Sequence, residues 1–167
     1  MIKKFLFILF LLFTTTLNSA SLNMIGHKGN ELNIDRVINI KMYDNYFEPN
    51  FVKIKKGETI KFLISNKGSL VHEYNIGTKE MHLEHQEEMQ KLVDNEIIKG
   101  GEIDKLKMKI MSKKDHSLAH SHANSVMLEP NQIGEVIWKF TKDVDLEMGC
   151  NVPGHYQSGM LGKIIIY

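Results

Sequence analysis

The 167-residue chain has a single cysteine, almost no surplus of either charge and no long hydrophobic run, and each shortage removes a class of protein. Cys150 has no second thiol to pair with, so no internal disulfide holds this chain together. The 21 Lys and Arg nearly balance the 20 Asp and Glu, and the balance tips slightly acidic once Lys3 and Lys4 are set aside. No broad basic surface for nucleic acid follows from that composition. The one apolar run, Phe5 to Phe13, is short for a membrane span. With Lys3 and Lys4 before it and Ser19-Ala20 after it, residues 1–20 read as a removable export signal. An uncleaved membrane anchor is the alternative, because Asn18 is an imperfect residue three before the proposed cut. No Cys follows the run, which speaks against a lipoprotein. The remainder is long enough for one domain with a real core.

A lone thiol in an exported chain needs a role, since an oxidising compartment tends to oxidise or cross-link a free thiolate. Metal binding is one such role; a buried, inert cysteine is the other. The surroundings of Cys150 decide between them. Met148-Gly149-Cys150-Asn151-Val152-Pro153-Gly154-His155-Tyr156-Gln157-Ser158-Gly159-Met160 puts a thiol, an imidazole and a thioether on one loop, with four residues between Cys150 and His155 and four between His155 and Met160. Pro153, Gly154 and Gly159 let the backbone turn, so the loop can wrap a single ion. Thiolate and thioether favour Cu(I), and imidazole suits both copper states. Two histidines and a cysteine with a weak axial methionine form an electron-transfer copper centre. The second histidine must come from elsewhere, and His72 in Leu70-Val71-His72-Glu73-Tyr74 is the best placed.

Elsewhere the pattern is that of short strands. Val37 to Met42, Phe51 to Lys55 and Thr59 to Ile64 alternate with β-branched residues, and Lys56-Gly57-Glu58 separates the last two. His72 follows the Asn66-Lys67-Gly68-Ser69 break and precedes another strand, Glu73 to Ile76, so a sheet would hold it. Ser125 to Leu128, Gly134 to Phe140, Val144 to Met148 and Gly162 to Tyr167 complete the strand set. Between them lies a different stretch. Met81, His85, Met89 and Leu92 recur near one helical face, and Ile103, Leu106 and Ile110 repeat this more weakly. Ser112 to Ser121 is polar and carries His116 and His120 in what reads as a flexible loop. The layout is therefore a flexible lead over residues 21–34 and one domain over 35–167, with a helical insertion at about 79–121. His27, in the lead, has no evident partner. Strands with helices confined to one insertion predict a mainly β fold, a sandwich or barrel.

These motifs resemble the cupredoxins of the plastocyanin and azurin type, over roughly residues 35 to 167 apart from the insertion. Within them the chain is most similar to periplasmic copper-tolerance cupredoxins, in His72-Glu73-Tyr74-Asn75-Ile76-Gly77, in His85 and Met89, in Trp138-Lys139-Phe140 and in the ligand loop. The loop spacing also resembles that of rusticyanin and auracyanin. The resemblance implies a Greek-key β-sandwich or barrel with one type 1 copper held by His72, Cys150, His155 and axial Met160. It also implies an exported, periplasmic protein that exchanges single electrons with a redox partner protein; with the near-neutral charge, no nucleic acid is expected as a partner, and no stable membrane insertion once the signal is removed. Glu73 stands where plastocyanin carries an Asn that helps tie the ligand loop.

Two other readings belong beside electron transfer. Tight copper binding would equally serve sequestration or delivery. An enzyme is the third class: Cys150 and His155 have the chemistry of nucleophile and base, but a hydrolase has no use for Met160. Copper oxidases and reductases need further domains and paired His-x-His ligands, and His120-Ser121-His122 is the one such pair here. Met81, His82, His85 and Met89 lie on one helix as a packing stripe; the alternative is that His85 and Met89, with His120 or His122, form a second and weaker copper site, since thioether and imidazole without thiolate suit Cu(I).

Overall fold

The computed structural model describes residues 24–167; the export signal read at residues 1–20 lies outside them. Strand β2 (Arg36–Met42) runs parallel to β5 (Thr59–Asn66), and β10 (Ile133–Lys139) pairs antiparallel to β5 on its other side. Short edge strands β1 (His27–Lys28) and β3 (Phe47–Glu48) complete a first five-stranded sheet in the order β1-β10-β5-β2-β3. The second sheet is β4 (Phe51–Ile54), β12 (Leu161–Ile166), β11 (Leu146–Gly149), β6 (His72–Gly77) and β9 (Ser125–Leu128), in that order. Alternation explains the core between them: Ile60, Phe62 and Ile64 point inward from β5, Ile40 and Met42 from β2, Val136 and Trp138 from β10. From the facing sheet Tyr74 reaches Phe62, with ring centroids 5.2 Å apart, and meets Phe47 edge-on at 6.0 Å.

Every residue of β6 is buried. Its far face is covered by the insertion, which begins with α1 (Lys79–Asp94) directly after the strand. The Thr78 side chain caps that helix by accepting from the Met81 amide at 3.3 Å. Met89 and Leu92 are fully buried as the periodicity predicts, and Met81 packs at the core's edge. His82 is buried too, one position from the expected stripe. A hairpin of β7 (Ile98–Lys99) and β8 (Glu102–Ile103) follows, then α2 (Lys105–Met111) and a 3-10 turn over His116–Ala119. Ile103, expected on the weaker helix, instead pairs with Ile98 in the hairpin, because Asp104 caps α2 one residue later through the Lys107 amide. The polar segment is anchored by Leu118, which is buried against the core.

The amino-terminal lead is not loose in its described part. Ile25 is fully buried, its carbonyl accepts from Trp138 Nε1 at 3.2 Å, and His27 and Lys28 pair with Lys139 and Trp138. Two residues of strand are too few to show a period, so the sequence carries no signal of this packing. Among the described residues no helix is long and apolar enough to cross a membrane.

Candidate metal centre

Strand β11 lies between β6 and β12, so a loop leaving β11 and returning through β12 sits beside the start of β6. The backbone closes that loop: Cys150 N–H donates to the Met160 carbonyl at 3.1 Å, Met160 N–H to His155 at 3.0 Å and His155 N–H to Val152 at 2.9 Å. Cys150 and His155 are thereby brought to His72, the first residue of β6. Cys150 Sγ lies 3.4 Å from His155 Nδ1 and 3.8 Å from His72 Nδ1, and the two Nδ1 atoms are 3.1 Å apart. Three donor atoms thus converge on a space of ionic size. Met160 is fully buried and adjoins Cys150 through its backbone.

The donors are held by groups that spacing did not reveal. Asp44, on the loop between β2 and β3, accepts from His72 Nε2 at 3.0 Å and is itself fixed by the Ser69 amide and hydroxyl, each at 2.8 Å. A carboxylate there keeps the proton on Nε2 and leaves the Nδ1 lone pair facing Cys150, free to accept a hydrogen bond or to hold a metal. Burial opposes ionisation of Asp44, but Ser69 and His72 bring its carboxyl down to about 2. Gly68 is required at this spot, since a Cβ on it would stand 2.8 Å from His72 Nε2 and collide with the Asp44 carboxylate. On the other side His82 bonds the Asn151 side chain and lies 3.3 Å from the Glu147 carbonyl, while its ring stacks on Tyr156 at 5.4 Å. A Cβ at Gly149 would come within 2.7 Å of His82 Cε1, so only glycine lets the helix approach the end of β11 this closely.

Burial sets the protonation of the centre. It pushes the Cys150 thiol up to about 12, and it lowers both His72 and His155 below the usual imidazole value. A soft cation that displaces the thiol proton relieves this, because metal and proton compete for the same sulfur. The donor set of two neutral imidazoles and one buried sulfur fits copper.

Residues 5–113 match the Cupredoxin-like domain family. The chain is 36% identical over 145 residues to the copper-resistant cuproprotein CopI of Pseudomonas aeruginosa, covering 78% of this chain and 76% of that one. That settles the family. The chain belongs to the cupredoxins. The cupredoxin is also 27% identical over 142 residues to the CopI of Rubrivivax gelatinosus, covering 84% of this chain and 72% of the relative. Its fold is shared by the dithionite-reduced auracyanin of Roseiflexus castenholzii, with a TM-score of 0.58, 18% identity and coverage of 80% and 98% of the two chains. Auracyanin B superposes with a TM-score of 0.60 at 13% identity, over 85% of this chain and 96% of that one.

In this cupredoxin the residue after His72 ties the loop that carries Cys150. Glu73 is wholly buried, and its Oε2 accepts from the Asn151 amide at 3.3 Å and side chain at 2.9 Å, tying the ligand loop to β6. Its own amide donates to Cys150 Sγ at 3.3 Å. Its other oxygen accepts from His85 and His120, each at 2.9 Å. The structure therefore joins His85 to His120 and His122, while Met89 packs in the core.

Proposed function

We propose that this cupredoxin binds one copper ion through His72, Cys150, His155 and axial Met160, and uses it to carry single electrons in the handling of excess copper. The observation that carries the reading is the convergence of two Nδ1 atoms and one thiol sulfur within 3.1–3.8 Å of each other, where His72 and Cys150 are buried and His155 is half-buried. Bound there, copper would supply a one-electron couple in surroundings that need little rearrangement when its charge changes. The protein's part is to hold the donors rigid, through Asp44 on His72 and Glu73 on Asn151, and to exclude water. A centre with four donors offers a substrate no strongly held open position, so we read a carrier and not an enzyme.

Copper tolerance is supported by the kinship with proteins named copper-resistant cuproproteins. The expected setting is the periplasm, reached through the export signal of residues 1–20, with a redox protein as partner. The test is to add Cu(II) to the purified metal-free protein and record visible and electron paramagnetic resonance (EPR) spectra. An intense thiolate-to-copper band is expected for the native chain and none for Cys150→Ser; persistence of the band in that variant, or preference for zinc without any coloured form, sinks the assignment. Sequestration or delivery without electron transfer is the second reading, favoured by the additional histidine cluster beside the centre. Reversible one-electron voltammetry of the loaded protein supports the carrier, and a redox-silent copper form supports the store.

A further inference from the structure

The insertion does more than cover β6. From α1 it delivers His85, and from the segment after the 3-10 turn it delivers His120 and His122, so that one ring nitrogen of each lies within 4.8 Å of the other two. Their ring centroids stand 5.0–5.3 Å apart. His120 reaches this position with a backbone φ of +43°, in the left-handed region that a β-carbon disfavours. Residues in such a conformation persist where the surroundings hold them, and they gather at functional sites.

Each ring is oriented by a carboxylate. Nε2 of His85 and Nε2 of His120 both meet Glu73 Oε1 at 2.9 Å, and Nε2 of His122 meets Glu88 Oε1 at 2.8 Å. Metal-ligating histidines carry this support, a carboxylate that fixes the ring and its basicity; His85 has one at each nitrogen, since its Nδ1 also lies 3.6 Å from Glu88 Oε2, and a metal there would take the place of one ring proton. Glu73 is fully buried, so its negative charge calls for cations close by. An open cavity of about 420 Å³, bordered by Met108, His120, His122 and Met127, joins the cluster to solvent.

We propose that His85, His120 and His122, backed by Glu73 and Glu88, form a second metal site that takes a divalent first-row ion and binds Cu(II) most tightly. Three imidazoles beside two carboxylates offer no thiolate, which removes the preference for Cu(I) and leaves the order of divalent affinities, in which copper stands above zinc. The site does not depend on the Cys150 centre's being a copper centre. It makes the same chain a binder of copper in two chemical environments, one built on sulfur and one on nitrogen.

The test removes the first centre and titrates the second. In Cys150→Ser/His155→Ala protein, Cu(II) followed by EPR in competition with a chelator is expected to fill one site with nitrogen hyperfine structure. Adding His120→Ala and His122→Ala is expected to weaken this binding by at least about tenfold. Weakening of less than about threefold, including no binding in either protein, overturns the proposal, and so does tighter binding of Zn(II) than of Cu(II). Replacing His120 removes a partner of buried Glu73, so an independent measurement uses the unaltered chain. Crystals soaked in Cu(II) are expected to show an anomalous-scattering peak among the three imidazoles, and its absence there also overturns the proposal. A failure of the Cys150 assignment alone leaves both results unchanged.

Discussion

At the first cluster two imidazoles face a buried, neutral thiol; at the second, three imidazoles face the carboxylates of Glu73 and Glu88. The ligand type is the same, yet the neighbours drive its protonation in opposite directions. Burial lowers His72 and His155. Burial also works against a charged His85, but the charges and hydrogen bonds of Glu73 and Glu88 outweigh it and raise His85 to about 10. Glu73 answers in kind: burial would raise its carboxyl, and His85 and His120 hold it well below the usual value. In the metal-free chain an imidazole is therefore a neutral soft donor or half of an ion pair according to what the fold places against it, and a metal that enters the second cluster does so by displacing the His85 proton.

The two clusters are joined by adjacent residues of one strand. Alternation along β6 sends His72 to the face shared with Tyr74 and Ile76, and Glu73 to the opposite face under the insertion. Glu73 also holds the ligand loop, so it is the place where the separation breaks most severely. Glu73→Ala is expected to cost the metal-free protein about 3–5 kcal/mol in denaturant unfolding, since it leaves the half-buried His85 and His120 rings and the buried Asn151 without their acceptor. A loss below about 1 kcal/mol would mean that the two clusters are not tied through this carboxylate.

Asp44→Ala should touch one cluster only. Without the acceptor on Nε2, His72 loses its fixed tautomer and orientation, and copper affinity at the Cys150 centre is expected to fall about 10–100-fold. Cu(II) binding in the Cys150→Ser/His155→Ala background should not change when Asp44 is replaced. A fall there as well would show that the clusters share more than Glu73.

The gentlest test replaces nothing. Histidine ring signals followed by nuclear magnetic resonance across pH in the metal-free protein should keep His72 and His155 neutral below 6.5 and His85 charged above it. The stability consequences have opposite signs. The His85 contribution is fully present below 6.5 and is lost as pH rises through about 10. The Glu73 contribution is present above 4.5 and is lost as pH falls through its depressed value. His72 and His155 resist protons that the unfolded chain accepts, so they withdraw stability as pH drops below 6.5. A common midpoint near 6.5 for His72, His155 and His85 would erase the contrast between the clusters.

Much of the first cluster is legible along the chain, because Cys150 and His155 share one loop and their spacing is itself the geometry. The two-sheet architecture is legible for a similar reason. Strands of four to eight residues such as β4 and β5 show their period, and α1 shows its own. The second cluster gave only fragments, a His-x-His pair and a helical His85, and the stripe of Met81, His85 and Met89 drew attention to a methionine that packs in the core.

By itself the sequence determined the order of the thiol and the imidazole on one loop, the β periodicities and the place of the insertion, since each is carried by near neighbours whose spacing fixes their relation. Only the tertiary structure decided that Asp44 would hold His72 from 28 residues away, that Glu73 would meet His120 across 47, and that Ile25 would enter the core under Trp138. Those contacts join groups on separate elements, and their chemistry appears only when strand alternation, helix position and loop closure bring the atoms within hydrogen-bond reach.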